Sequence, residues 1–269
     1  MATLSGRILL GWMERDVALV ALLQACQFDG QLTAVGAEKL WAEHRARVAA
    51  LPERLPVKIP EIPLTPSEEA VANQFLSEAR RHGASNVVGV VKIRPDDLLI
   101  HQLHISTDIA KKYIDAMRDE TSWAKACLGI GMLAGPVPAQ QSGTKIVARL
   151  PHAEYRGSFG ADGSFNIIES QQMIGVVRVG EALWLWSGYH RAYVALCPDS
   201  AGVGCQSKAI LAAVVTHPKV LPILSAPRAP KFSDLGDEQS ALRVRLWSVR
   251  YELQADLQSR TWRIARFRN

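Results

Sequence analysis

An α+β fold is predicted: a mixed-sheet core with a helical segment before it and a basic strand pair after it. Three observations carry this. Apolar residues recur at helical spacing through the first eighty positions, β-branched runs broken by glycine turns take over after Gly83 and dominate from Thr144 onward, and the last stretch alternates arginines with apolar residues. The predicted boundaries are 1–63 for the helical segment and a Pro-rich linker, 64–225 for the core and 226–269 for the strand pair.

The elements follow in order. Val17–Leu23 is an unbroken apolar run, and Ala37, Leu40, Trp41, His44 and Val48 repeat at helical spacing with Glu38, Glu43, Arg45 and Arg47 turned outward. Pro52, Pro56, Pro60, Pro63 and Pro66 prevent any helix from continuing, so an extended linker is expected there. Thr65-Pro66-Ser67-Glu68 combines an N-cap, a first-turn proline and a capping-box glutamate, which opens a helix that stops at Gly83. Asn86–Ile93 is a β-branched run ended by Arg94-Pro95 and reads as a buried strand. Two helices follow, one with Ile109, Tyr113, Ile114 and Met117 on a face and one with Trp123, Ala126, Cys127 and Ile130. Strands are expected at Lys145–Leu150, Val176–Val179 and Ala182–Trp186, the last two joined by a Gly180-Glu181 turn, and at Ala209–Thr216. Leu242–Leu257 and Trp262–Phe267 complete the strand pair.

Composition excludes several classes. With 269 residues, 48% hydrophobic and 21% charged, the chain is long enough for a sizeable core and is neither disordered nor fibrous. No apolar run reaches the roughly 18 residues of a membrane span, and Glu14, Arg15 and Asp16 interrupt the apolar core a signal peptide needs, so a cytoplasmic protein without membrane partners is expected. Cys26, Cys127, Cys197 and Cys205 stand far apart, which argues against a zinc site or a disulfide framework. The net charge of +5 is local: residues 241–269 carry seven arginines against Glu252 and Asp256, and the rest of the chain balances.

The chemistry concentrates in Ile174–Leu196. Two short strands run into a glycine turn, and Ser187-Gly188-Tyr189-His190-Arg191 opens a helix. A helix N-terminus offers backbone N–H groups and a positive dipole end that suit a phosphate, and glycine lets the anion approach the backbone. Arg191 would chelate phosphate oxygens and His190 would donate a hydrogen bond or a proton.

This segment resembles the nucleotide-binding core of the ParB/sulfiredoxin superfamily, with S-G-Y-H-R as a variant of the D-G-x-H-R signature. Val91–Gln102 is similar to that core's first strand and following loop. The resemblance implies a nucleoside triphosphate, ATP or CTP, with or without Mg²⁺, hydrolysed or used for phosphate transfer. Its contacts would be Ser187, Gly188, Tyr189, His190, Arg191, His101 and Gln102, with His190 as a catalytic candidate; Glu169, just before the paired strands, is a second candidate, as general base or Mg²⁺ ligand. Asp96 and Asp97 are further candidates for substrate or metal contact. Tyr189 stands where sulfiredoxins carry their cysteine, which excludes sulfinic-acid reduction, and where partition proteins carry a glutamate; Ser187 replaces the usual acid.

A second reading gives the fold to a DNA-binding or partner-binding regulator without catalysis, with Arg243, Arg245 and Arg250 beside Trp247, Tyr251 and Trp262 holding a nucleic-acid backbone. A third makes the chain a subunit of a homo-oligomer or larger assembly, docking through its N-terminal helices.

Overall fold

The structure is a computed structural model, and it describes residues 3–27, 32–52, 58–81, 86–130, 139–150, 155–160, 162–169, 173–196, 207–216, 229–237, 239–247 and 250–267. Strand β1 (Thr3–Ile8) leads into α1 (Arg15–Val20), which runs on as a π-helical stretch to Ala25, then β2 (Cys26–Gln27) and α2 (Ala34–Ala50). Next come α3 (Pro66–Arg81), β3 (Val87–Ile93), β4 (Leu99–Ile100), β5 (His104–Ser106), α4 (Thr107–Ala110) and α5 (Glu120–Leu128). Four strands follow: β6 (Ala139–Ser142), β7 (Lys145–Leu150), β8 (Tyr155–Phe159) and β9 (Phe165–Glu169). The chain continues through β10 (Gly175–Val179), β11 (Ala182–Ser187), α6 (Tyr189–Leu196), β12 (Ile210–Val215), β13 (Leu242–Trp247), β14 (Arg250–Asp256) and β15 (Thr261–Phe267). Helices combined with mixed and antiparallel sheets make this the expected α+β fold.

The chain folds as two compact, discontinuous units rather than three consecutive segments. The larger holds residues 3–130 and 173–247, the smaller 131–172 and 248–269. Strand pairing explains the difference. β1 pairs antiparallel with β13 along its whole length, from Thr3 opposite Trp247 to Ile8 opposite Leu242, so the N-terminal segment starts as a strand welded to the larger unit. β14 pairs instead with β7 and β15, which splits the expected C-terminal strand pair between the units.

Two sheets build the larger unit. One is antiparallel with order β2-β13-β1-β5, and Ile8, Cys26 and Val244 pack from it against Leu10, Met13, Ala18, Leu22 and Ala37. The other is mixed, with order β3-β12-β10-β11-β4. β12 lies inside this sheet, parallel to β10, and Ile210, Leu211, Ala212 and Ala213 have no solvent exposure. At about 1.5–3 kcal/mol for each large aliphatic side chain, this strand anchors the core. β3 is an edge strand and only half-buried, so its β-branched run marks strand rather than full burial. The extended linker lies along that edge, where the Ile62 N–H donates to the Lys92 carbonyl at 2.8 Å; residues 53–57 of the linker lie outside the described residues.

Helix α3 starts as its sequence predicts. The Thr65 N–H donates to Glu68 Oε2 at 2.9 Å, and the Glu68 N–H donates to Thr65 Oγ1 at 3.4 Å. Glu68 is buried and also meets Lys92 Nζ at 2.7 Å, while Ser67 Oγ donates to Glu120 Oε2 at 2.7 Å and ties α3 to α5. Helix α5 is capped by Asp119, whose Oδ1 accepts from the Ser122 N–H, and ends at Gly129 with φ +70°. The helix expected at 109–117 is a single α turn continued by 3-10 turns.

The smaller unit contains an antiparallel sheet of order β15-β14-β7-β6 and the β8-β9 hairpin. Ala148, Leu150, Leu253 and Ala255 form its core with Phe159, Phe165 and Ile167. Among the described residues no helix is long and apolar enough to cross a membrane.

Candidate functional site

The site is built where β11 turns into α6. β10 and β11 form the predicted hairpin, with Gly180 at φ +58° in its turn. After β11, Gly188 takes φ +78°, a left-handed conformation that L side chains avoid. A Cβ there would lie 2.7 Å from Ile174 Cα, so glycine is required both by dihedral angle and by close approach of two backbones. Helix α6 begins at once, and the Ala192 N–H donates to the Gly188 carbonyl at 2.9 Å. The turn therefore delivers the first N–H groups of a helix at a fixed place, the geometry that suits an anion.

The side chains around this turn do different work from one another. Ser187 Oγ donates to the Met173 carbonyl at 2.8 Å, which holds the start of β10 against the end of β11. The Tyr189 hydroxyl donates to the Leu185 carbonyl at 2.6 Å and accepts the His101 and Gln102 backbone N–H groups, each at 3.3 Å. It thus ends the parallel ladder in which Leu99 and Ile100 of β4 face Trp184 and Leu185 of β11. Burial pushes the phenol pKa up to about 12, with the two backbone donors opposing, so it keeps its proton at neutral pH.

His190 Nε2 accepts the Ser106 N–H of β5 at 3.3 Å, which in the neutral ring puts the proton on Nδ1. Arg191 does not extend into solvent as the sequence reading expects. It is 4% exposed, donates from Nη1 to the Ala126 carbonyl at 3.3 Å and places its guanidinium 5.1 Å from the Tyr113 ring centroid. Its position on a helix whose other residues, His190 apart, are all buried turns the side chain toward α5, where it braces the turn.

His101 joins the turn from the end of β4. Its ring stands 5.3 Å from Trp186 and 5.7 Å, edge-on, from Tyr189, with Nδ1 3.0 Å from the Tyr189 hydroxyl. Burial of part of the ring lowers its pKa below the ordinary histidine value, and the Leu185 carbonyl works the other way. Gln102 Nε2 donates to the His104 carbonyl at 2.9 Å. Trp184 is buried in the core as its strand position predicts, but Trp186 is half-buried and forms one wall beside His101.

Other candidates lie elsewhere. Asp96 accepts from Ser207 Oγ at 2.7 Å, and Asp97 pairs with Lys231 at 2.6 Å, so both fasten loops. Glu169 belongs to β9 of the smaller unit, opposite Tyr155, and its side chain lies outside the described residues. Arg243 and Arg245 are exposed on one face of β13 in the larger unit, whereas Arg250 starts β14 in the smaller unit, its side chain again outside the described residues. Among the described residues no three His, Cys, Asp or Glu side chains are grouped to hold a metal ion.

The sequence reading missed Ser106, Tyr113 and Ala126, partners from other elements that no local pattern marks. Tyr189 was legible as a departure from a signature but not as a hub. Comparison with protein-family models, curated proteins and solved structures found no match for this chain.

Proposed function

We propose that the protein binds a nucleoside triphosphate, ATP or CTP, with a phosphate at the first turn of α6, and hydrolyses it or transfers its phosphate. The observation that carries this reading is Gly188 at φ +78°, packed on Ile174 and feeding directly into α6. Such a turn presents backbone donors to an anion without a side chain in the way. The order hairpin, glycine turn, helix, then a strand parallel to the first hairpin strand also supports the ParB/sulfiredoxin resemblance. In this reading Gly188, Tyr189 and His190 form the phosphate turn, Ser187 and Arg191 hold it in place, and His101 and Gln102 form its opposite wall. Mg²⁺ would enter with the phosphates, which commonly supply much of its coordination.

Thermal unfolding with ATP, CTP, GTP and ADP, with and without Mg²⁺, tests the reading. Binding stabilises the folded chain by about 2.7 kcal/mol at a hundredfold excess over Kd. No rise in Tm with any of the four nucleotides overturns it.

One observation favours a second reading, a nucleic-acid-binding regulator. Arg243 and Arg245 stand two residues apart, both exposed on one face of β13, a spacing that suits an anionic backbone. Filter binding of DNA to the parent and to the Arg243→Gln, Arg245→Gln variant at two salt concentrations tests it. Each lost phosphate contact lowers the salt slope by about 0.9, and a parent that retains no DNA at low salt removes this reading.

A further inference from the structure

The smaller unit carries a cavity of about 430 Å³ on its antiparallel sheet, lined by Lys145 and Val147 of β7, Gln254 and Asp256 of β14, and Thr261 and Arg263 of β15. The strand register puts these residues on one face: Lys145, Asp256 and Thr261 stand in a row across the three strands, and Val147, Gln254 and Arg263 form the next. Ala148, Leu150, Leu253 and Ala255 point the other way, into the unit's core, so the cavity lies over the outward face of the sheet. Its size falls within the range of small-molecule sites, about 300–1,000 Å³.

The charged groups of the cavity do not pair with one another. Asp256 Oδ1 accepts the Gln258 and Ser259 N–H groups of its own turn, at 2.9 and 3.3 Å. The side chain of Lys145, directly opposite Asp256 in the ladder, makes no hydrogen bond or ion pair among the described residues. Arg263 is gripped by a neutral group: its Nε and Nη2 donate to Gln254 Oε1 at 3.1 and 2.9 Å, and Gln254 Nε2 donates in turn to Glu252 Oε1 at 2.7 Å. A carboxamide fixes the guanidinium over β14 without cancelling its charge, and it leaves the two Nη1 N–H groups for another acceptor. Glu252, the other acid on that face of β14, stands opposite Arg149 in the ladder. The cavity thus holds two cations, one of them preset in direction, above the half-buried aliphatic surface of Val147, with Asp256 and the Thr261 hydroxyl on the adjoining row.

We propose that this cavity binds a small organic oxyanion, a phosphate or carboxylate on a carbon chain that also carries hydroxyl groups. The anion sits on the row of Val147, Gln254 and Arg263, where Arg263 Nη1 offers two N–H groups and the flexible Lys145 reaches it from β7. Like-charge repulsion keeps the anion off Asp256, and the hydroxyls of the ligand meet that carboxylate and Thr261 instead. The site does not rest on the α6 turn and belongs to the smaller unit alone.

Calorimetric titration of the full chain with glycerol 3-phosphate, L-malate and inorganic phosphate at fixed ionic strength tests the proposal, and the first two separate a phosphate from a carboxylate. At least one of those two should bind with Kd below about 1 mM, and inorganic phosphate, without the hydroxylated chain, should bind more weakly. Arg263→Gln and Lys145→Gln should each raise that Kd by about tenfold or more, the loss of one charge-assisted contact. Both side chains are exposed, so neither change touches the core, and circular dichroism of each variant checks that the fold is kept. Gln254→Leu changes no charge but releases the guanidinium, and it should also weaken binding. Arg149→Gln, on the same face but outside the cavity lining, should leave Kd within about twofold. The site is overturned if neither organic anion saturates the chain by about 10 mM, if inorganic phosphate binds as tightly as both, or if the Arg263, Lys145 and Gln254 variants keep the parental Kd. An Arg149→Gln variant that loses as much affinity as Arg263→Gln overturns it too, since the attraction would then be that of the whole face.

Discussion

Replacing Gly188 by alanine separates two reasons for a glycine at the head of α6. The first is the dihedral: φ +78° costs an L residue about 1–2 kcal/mol. The second is contact, since the new Cβ would lie 2.7 Å from Ile174 Cα and 3.1 Å from its nitrogen, backbone atoms that cannot rotate away. Overpacking of this kind costs about 1–3 kcal/mol, giving about 2–5 kcal/mol in all. Gly180→Ala is the control, because Gly180 shares the positive φ, +58°, but an added Cβ would meet nothing within 4 Å. It should lose only the dihedral part, about 1–2 kcal/mol. Urea unfolding followed by tryptophan fluorescence suits the comparison, as Trp123 and Trp184 are buried in the unit that holds both glycines. If the two variants are destabilised equally within about 0.5 kcal/mol, the close approach to Ile174 is not what fixes Gly188, and the description of the turn is wrong.

Arg191→Ala should unfold at lower temperature, by about 3 kcal/mol of stability, because it removes a charged donor to Ala126 and a cation over Tyr113 from a buried seat. Arg191→Lys should recover little of it, since an ammonium cannot reproduce the planar contact, and thermal unfolding that leaves either variant at the parental Tm would contradict the bracing role. Acid should weaken the fold through His101 and His44. Both are held below the ordinary value of about 6.5, mainly by burial, with Arg47 adding to the effect at His44 and Glu43 opposing it. The unfolded chain therefore binds more protons, so their contribution is present above about pH 6.5 and is lost as pH falls through the folded-state values. Urea midpoints measured downward from pH 7.5 should drop, and His44→Gln should flatten the trend.

Local structure was legible where a few neighbouring residues decide it. The Thr65–Glu68 capping box, the Gly180-Glu181 hairpin and the Gly188 turn each rest on contacts within a handful of positions, and the structure has all three. Long-range pairing was not legible. β13 and β14 both alternate arginine or polar residues with apolar ones, and nothing in that alternation says that one joins β1 and the other β7. The same limit explains Arg191. A basic residue in the first turn of a helix predicts an outward side chain unless the facing element is known, and here α5 supplies a carbonyl and the segment at Tyr113 supplies a ring. His101 was named from the sequence as a contact of the site, but its neighbours Trp186 and Tyr189, which come from distant elements, were not legible there.

The β1–β13 ladder also sets a timetable for synthesis. Thr3–Ile8 leaves the ribosome long before its main partner, which runs from Leu242 to Trp247 and follows the rest of the larger unit and part of the smaller. At roughly 5–20 residues per second the strand waits on the order of ten seconds or more with that edge unpaired. During that interval the nascent chain carries an open strand edge next to Leu9 and Leu10, residues that the finished fold buries completely. The larger unit can close only after the insertion between Ile130 and Met173 has already emerged, so the smaller unit's β6–β9 segment is made inside the folding history of the unit it interrupts.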